Sequence, residues 1–281
     1  MSISSTASLP GVTRLPVQKV RAADMLEACD EVTIEEPLEI RLVYGPAAQR
    51  REQNISVTMR TPGNDRELAT GFLFTEGIIP HASVIQKVEQ AFSGNTICLH
   101  LEEHLNLDLG KLQRHFYTSS SCGVCGKSSI DALRTVCPVT ETTADWQVGP
   151  EIVYALPARL RRQQALFDYT GGLHASALFD REGNFLSLRE DIGRHNALDK
   201  LIGHALDKGS LPLSGSILLL SGRACFELIQ KAAMAGFRMV AAVGAPSSLA
   251  VSLAQEYDIT LIGFLRDERF NVYTGAQRLK F

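Results

Sequence analysis

The chain has 281 residues, with 28 lysines and arginines against 31 aspartates and glutamates, and its formal charge of −3 supplies no general field for drawing in nucleic acid or an anionic membrane. A hydrophobic content of 45% marks a globular protein, and the length allows a substantial core shared between two domains of unequal character. Six cysteines at uneven spacing (29, 98, 122, 125, 137 and 225) are too few for a disulfide scaffold and point to a reducing, cytoplasmic setting.

Residues 1–22 are rich in Ser, Thr and Pro, lack the continuous apolar stretch of a secretory signal and read as a flexible tail. Apolar runs such as 217–220 are far too short to cross a bilayer, so no membrane association is expected. Residues 23–117 form a small β-rich amino-terminal domain in this reading, with strand-like segments at 32–34, 38–43 and 55–59, each bounded by Pro, Gly or polar clusters. A capped amphipathic helix is predicted over 64–74, stopped near Gly77. Residues 84–101 then alternate about Ser93-Gly94-Asn95 as a hairpin does.

Residues 118–144 are a reactive cysteine loop and linker. From Thr118 to Ser129 the only clearly apolar side chain is Val124, and a stretch so poor in apolar residues cannot bury itself. It carries Cys122-Gly123-Val124-Cys125-Gly126-Lys127. A nearby cation or a second thiol in a Cys-x-x-Cys pair lowers the free-thiol pKa of about 8.5 toward neutrality and makes the nucleophilic thiolate. Residues 130–133 look like a capped helix start.

The pattern changes at about residue 145, and 145–281 reads as an α/β cofactor-binding domain. A hairpin (175–179 and 185–188) is followed by a helix over 195–206. Strands at 216–220, 238–243 and 259–264 then alternate with helices at 224–235 and 247–256, and the last strand leads into the tail. Short, fully apolar runs suit strands covered on both faces, so the fold class is α/β, a mostly parallel sheet sandwiched by helices. Right-handed crossovers bring the carboxyl ends of such strands to one edge, where ligands bind. Ser221-Gly222-Arg223, the stretch Gly244 to Ser248, and Arg266-Asp267-Glu268-Arg269 are due there. Small residues at helix amino-termini and the guanidinium groups of Arg223, Arg266 and Arg269 suit a phosphorylated ligand, although ordinary turns and solvated arginines would give the same sequence.

The Cys-x-x-Cys pair fits several chemistries unequally. A zinc ribbon needs four ligands, usually two such pairs, and only one is present. Zinc deaminases require Pro-Cys-x-x-Cys, and Ser121 stands where that proline belongs. A thioredoxin-like exchanger has the same spacing but places it at a strand-to-helix junction, and it remains an open rival. Gly126-Lys127-Ser128 imitates the end of a P-loop, yet Ser121 stands where the first glycine belongs. Cys29, Cys98, Cys137 and Cys225 read as small packing residues. Arg159 to Arg162 reads as a solvated basic turn. His174 and His195 sit among glycines and polar residues, where each could bond to a pterin or a phosphate, packing being the commoner role.

Ser120 to Lys127 resembles the signature of the FdhD family, sulfurtransferase accessory proteins required for formate dehydrogenase activity. Thr61-Pro62-Gly63, Glu67 to Leu73, Thr170 to His174, Glu190 to Lys200, Ser221-Gly222-Arg223 and Ala245 to Ala250 are similar to further family blocks, so the likeness runs from about residue 30 to the carboxyl terminus. The resemblance implies a carboxyl-terminal domain like cytidine deaminase in fold, without its zinc site. It implies a sulfur carrier that takes persulfide sulfur from a cysteine desulfurase and passes it to the bis(molybdopterin guanine dinucleotide) molybdenum cofactor, which GDP would mimic, before insertion into formate dehydrogenase. It implies that Cys122 bears the persulfide, a choice over Cys125 that thiol chemistry alone leaves open; Cys125 could resolve the sulfur, relay it or tune the first thiol. It also implies cofactor contact at Phe264, Leu265, Arg266, Asp267, Glu268 and Arg269, where Asp267 and Glu268 stand in place of the expected glycine or neutral residues. Ser221, Gly222, Arg223, Ser247 and His195 complete the expected site, with no zinc. A homodimer is the default assembly. A thiol-disulfide oxidoreductase and a cofactor chaperone with non-catalytic cysteines are the alternatives.

Overall fold

The computed structural model describes residues 11–92, 94–105, 107 and 146–281. The predicted reactive loop, with Cys122, Cys125 and Cys137, lies outside them, as does the helix start at 130–133. Strands β1 (Val12–Arg21) and β2 (Asp24–Thr33) form a two-stranded hairpin. Strands β3 (Glu36–Tyr44), β4 (Arg51–Arg60), β5 (Ile85–Gln90) and β6 (Thr96–Leu101) form a four-stranded sheet in the order β4-β3-β6-β5. Alternation sets its face: Leu38, Ile40, Leu42 and Tyr44 of β3 are buried while Glu39, Arg41 and Val43 are not. Helix α1 (Asp65–Thr75) follows β4 and turns Leu68, Ala69 and Leu73 inward.

The second sheet has six strands. Two helices precede it, α2 (Pro150–Arg161) and α3 (Ala165–Thr170). Then come β7 (His174–Phe179), β8 (Phe185–Asp191), α4 (Arg194–Asp207), β9 (Ile217–Leu220), α5 (Phe226–Met234), β10 (Met239–Ala242), α6 (Ser248–Glu256), β11 (Thr260–Arg266) and β12 (Arg269–Thr274). Their order is β12-β11-β10-β9-β7-β8. Strands β9, β10 and β11 are parallel, and the strands outside them are antiparallel to their neighbours. Leu218 and Leu220 pack with residues of α4, α5 and α6, whereas Ile217 and Leu219 pack with Val153, Leu156 and Leu160 of α2. Burial on both faces is why β9 reads as an unbroken apolar run.

The first of these two cores is continuous from the four-stranded sheet through α1 to α4 and the parallel strands. Helices α1 and α4 meet at glycines: a Cβ on Gly71 would strike the backbone oxygen of Asp199, and one on Gly203 would strike that of Glu67. Buried charge surrounds the crossing. Lys200 Nζ lies 2.7 Å from an Asp191 carboxylate oxygen and donates to the Thr61 carbonyl at 2.8 Å. Lys231 Nζ donates to Asp199 and to Thr75 Oγ1, both at 2.9 Å. Glu67 binds Arg189 Nη2 at 2.7 Å and His204 Nδ1 at 2.8 Å.

Four sequence expectations need correction. The loose tail ends earlier than residue 22, because Val12–Arg21 pairs along its length with Asp24–Thr33; this exposed hairpin has no apolar alternation to announce it. The basic stretch 159–162 is no solvated turn but the end of α2, where Arg161 pairs with Asp168 at 2.7 Å and lies over the Phe167 ring. Pro150 and Pro157 hid this helix: the first is tolerated at its start, and the second is an interior proline. The chain after residue 264 turns back as β12, so the sheet is mixed, with three parallel strands. Cys29 is exposed on β2 and fills no core.

The glycine crossing is testable by urea unfolding. Gly203→Ala should lower the unfolding free energy by roughly 2–3 kcal/mol through overpacking against rigid backbone. Gly172→Ala, whose added Cβ would meet Thr33 Oγ1 at 3.5 Å, should stay within about 0.5 kcal/mol of the parent.

Candidate functional site

The carboxyl ends of β9, β10 and β11 share one edge of the six-stranded sheet, as parallel strands must. Backbone bonds tie it together: Gly244 N donates to Gly222 O at 2.9 Å, Phe264 N to Gly244 O at 3.1 Å, and Ser247 N to Ala224 O at 3.0 Å. Glycine is required by proximity. A Cβ on Gly222 would stand 3.2 Å from His174 Nδ1, and one on Gly244 would stand 3.0 Å from Arg223 N. Ser221 closes the neighbouring side, its Oγ accepting from Ala175 N at 2.8 Å. A cleft of about 550 Å³ opens here, lined by His174, Ser221 and Val243 together with Leu160, Arg161 and Phe167 from α2 and α3. Arg223 is exposed at the edge. Arg194, in the first turn of α4, has a buried Nε that finds no partner among the described residues. Burial and the nearby Arg194 and His195 lower the His174 pKa, so this ring favours its neutral form.

The turn from β8 into α4 is held by Asp191, which is fully buried. One carboxylate oxygen accepts from Gly193 N at 2.8 Å and from Asn196 Nδ2 at 3.1 Å; the other accepts from Thr61 N at 3.2 Å and faces Lys200. Asn196 also donates to Met59 O at 2.8 Å. This anchoring delivers His195 to the start of α5, where its Nε2 lies 3.2 Å from Cys225 Sγ and 3.7 Å from Glu227 Oε2. Cys225 occupies the position before the first turn of α5, and the Leu228 N–H reaches its sulfur. Burial opposes charge on all three groups, yet their mutual bonds win. The His195 pKa is raised to about 9 by Cys225 and Glu227, that of Glu227 falls to about 2, and His195 brings that of Cys225 below its ordinary value. The three form a cysteine–histidine–glutamate cluster in which each side chain lies within reach of the imidazole.

The structure brings Ser221, Gly222, Arg223, Ser247 and Phe264 to one edge. Ser247 caps α6, its side chain accepting from Ala250 N at 3.2 Å. Phe264 is 38% exposed, whereas Leu265 is 1% exposed and belongs to the core under α2, so the Leu265 side chain does not face the edge. Arg266, Asp267, Glu268 and Arg269 form the turn between β11 and β12 and are exposed. Asp267 and Glu268 have φ of 51° and 55°, the left-handed pair of a two-residue hairpin that glycine or asparagine fills most easily. His195 is drawn back to Cys225. Cys225 packs against the core as expected, and it also faces ionisable groups. The available signal was a cysteine two residues before a glutamate at a helix start, where a polar cap normally stands.

Together these features define an α/β protein of three sheets, with glycines lining the edge where the parallel strands of the largest one end. Comparison with known proteins specifies it further. The FdhD/NarQ family model matches residues 34–280. A protein named sulfur carrier protein FdhD from Streptomyces avermitilis is 48% identical over 275 residues, which cover 95% of each chain. Its namesake from Picrophilus torridus is 45% identical over 250 residues, covering 89% of this chain and 92% of the relative. A crystal structure described as a formate dehydrogenase accessory protein from Desulfotalea psychrophila shares the fold, with a TM-score of 0.75 at 23% identity, covering 96% of this chain and 100% of its own. The chain belongs to the FdhD/NarQ family.

Asp191→Ala would leave Lys200 buried without its counter-ion and free the turn that carries His195. A loss of about 3–5 kcal/mol in unfolding free energy is expected, measured by chemical denaturation.

Proposed function

We propose that this protein is a cytoplasmic sulfurtransferase serving a formate dehydrogenase. Cys122 accepts a sulfane sulfur from a cysteine desulfurase as a persulfide and passes it to the bis(molybdopterin guanine dinucleotide) molybdenum cofactor before that cofactor is inserted. The observation that carries the reading is similarity over 95% of both chains to a relative named for sulfur carriage, together with the Cys122-Gly123-Val124-Cys125-Gly126-Lys127 sequence.

The loading step balances without a redox partner, and reduction of the sulfane sulfur to a metal-bound sulfide calls for a two-electron donor of the thiol class. The Cys122 thiolate attacks the outer sulfur of the desulfurase persulfide, the donor sulfur–sulfur bond breaks, and its electron pair leaves with the desulfurase cysteine. Cys125 relays or resolves the sulfur. The molybdenum cofactor is cargo here, and GDP is its natural mimic. The residues at the edge fit such a ligand. Gly222 and Gly244 permit close backbone approach, the exposed Arg223 offers donors for phosphate oxygens, and the cleft beside His174 and Ser221 is of a size that holds a fused ring. Phe264 adds an exposed aromatic face. No zinc takes part in this scheme. Among the described residues no helix is long and apolar enough to cross a membrane. A homodimer is supported by exposed Val20, Met25 and Leu26 at the tip of the β1–β2 hairpin, apolar surface that a second copy would cover.

Incubation with a cysteine desulfurase and cysteine should add one thiol-releasable sulfur to the Cys122 peptide, read by mass spectrometry, and Cys122→Ala should abolish both this loading and support of formate dehydrogenase activity. Undiminished support by Cys122→Ala would instead make the protein a binding chaperone. Turnover of a model disulfide with thioredoxin-type donors would make it an oxidoreductase.

A further inference from the structure

The scheme above leaves His195, Cys225 and Glu227 without a chemical role. We propose that Cys225 is a second sulfur-handling nucleophile, which takes a sulfane sulfur from a persulfide at the ligand edge and holds it beside His195. The nature of the cargo rests on the sulfur-carrier reading; the reactivity of the thiol does not.

Nucleophile and base are within reach of each other, with Sγ 3.2 Å from His195 Nε2 and Glu227 Oε2 3.7 Å from the same nitrogen, the arrangement that activates a cysteine. Cys225 packs against the main apolar core, yet its sulfur is bonded to a histidine. It is not sealed in: Cys225 is part-exposed, two residues from the exposed Arg223. Its neighbour Ala224 is bonded to Ala245 across the edge, N to O at 3.2 Å, so the Cys225 backbone directly follows the residue that joins the ends of two parallel strands. The charge balance is consistent with this: Cys225 and Glu227 favour the charged imidazole against burial and Lys231, and His195 in turn lowers the Cys225 pKa against burial and Glu227.

The transfer needs no added oxidant or reductant. The Cys225 thiolate attacks the outer sulfur of a donor R–S–SH, a new sulfur–sulfur bond forms, and the donor's own bond breaks with its electron pair on R–S. The donor's persulfide proton moves to that leaving sulfur, giving R–SH and a Cys225 persulfide anion that keeps the imidazolium as counter-ion.

The full-length Cys122→Ala protein is treated with glutathione persulfide, and its peptides are read by mass spectrometry. The Cys225 peptide should gain one thiol-releasable sulfur. In a parallel measurement, the rate at which iodoacetamide alkylates Cys225 should fall less between about pH 8.5 and about pH 6.5 than that of a free thiol. His195→Gln, shown to be folded by its urea transition, should slow alkylation at the lower pH by roughly tenfold or more, since one pKa unit is tenfold in thiolate fraction. A Cys225 peptide left bare under conditions that load Cys122 in the parent protein overturns the inference and leaves the carrier reading standing. Equal alkylation profiles with and without His195 also overturn it, as does stoichiometric zinc held by the cluster after purification. Loading of Cys225 where the desulfurase fails to load Cys122 supports the inference and sinks the carrier reading.

Discussion

The close crossing of α1 and α4 is the constraint on which the rest of the molecule depends. Two helices can approach until backbone meets backbone only if each offers a glycine at the contact, and Gly71 and Gly203 do so reciprocally. The approach joins the four-stranded sheet to the six-stranded one through a single apolar core. It also withdraws Asp191, Asp199, Lys200 and Lys231 from water. Buried charges cost free energy unless each has a partner in good geometry. Here each lysine meets a carboxylate and at least one neutral oxygen from the amino-terminal half, Thr61 O or Thr75 Oγ1. An altered register between the halves would strand two ammonium groups, so the same contacts that join the halves also penalise every other way of joining them.

This explains the density of polar residues from Glu190 to Lys200. A helix that presents Asn196, Asp199 and Lys200 to the interior would be disfavoured on amphipathic grounds, because none of these residues is normally buried. Their partners lie at Met59, Thr61 and Thr75, which are remote in sequence. The segment is therefore a structural joint before it is a binding site. Its functional product is the position of His195, one residue from Arg194 and set against α5.

The second half was the more legible part of the fold for a physical reason. Strands buried on both faces write their identity as short apolar runs, and residues 217–220 and 239–242 do so without ambiguity. The hairpin over 85–101 was legible from alternation and a turn, and α1 from its spacing. The β1–β2 hairpin was not, since a ribbon exposed on both faces carries no period of burial. Helix α2 was hidden by its prolines, although Val153, Leu156 and Leu160 keep the spacing of one buried face. In the candidate site, the edge residues 221–223 and 247 were legible because chain direction alone decides where parallel strands end. The Cys225 cluster was not, because it depends on a contact between residues thirty apart in sequence and on which way a histidine turns.

The two thiols of interest draw on different sources of reactivity. For Cys122 the proposed activating groups, Lys127 and the second thiol Cys125, are neighbours in sequence. Cys225 has no such neighbours except Glu227, which by itself would raise its pKa by repulsion. Its activation comes from His195, and His195 is where it is because Asp191 fixes the turn before α4 and the glycine crossing fixes α4. A sulfur held at Cys225 would thus be held by the architecture of the whole molecule, at a defined place on the ligand edge. A fixed station of that kind suits a group transfer, in which the distance between the reacting atoms must be set before the step occurs.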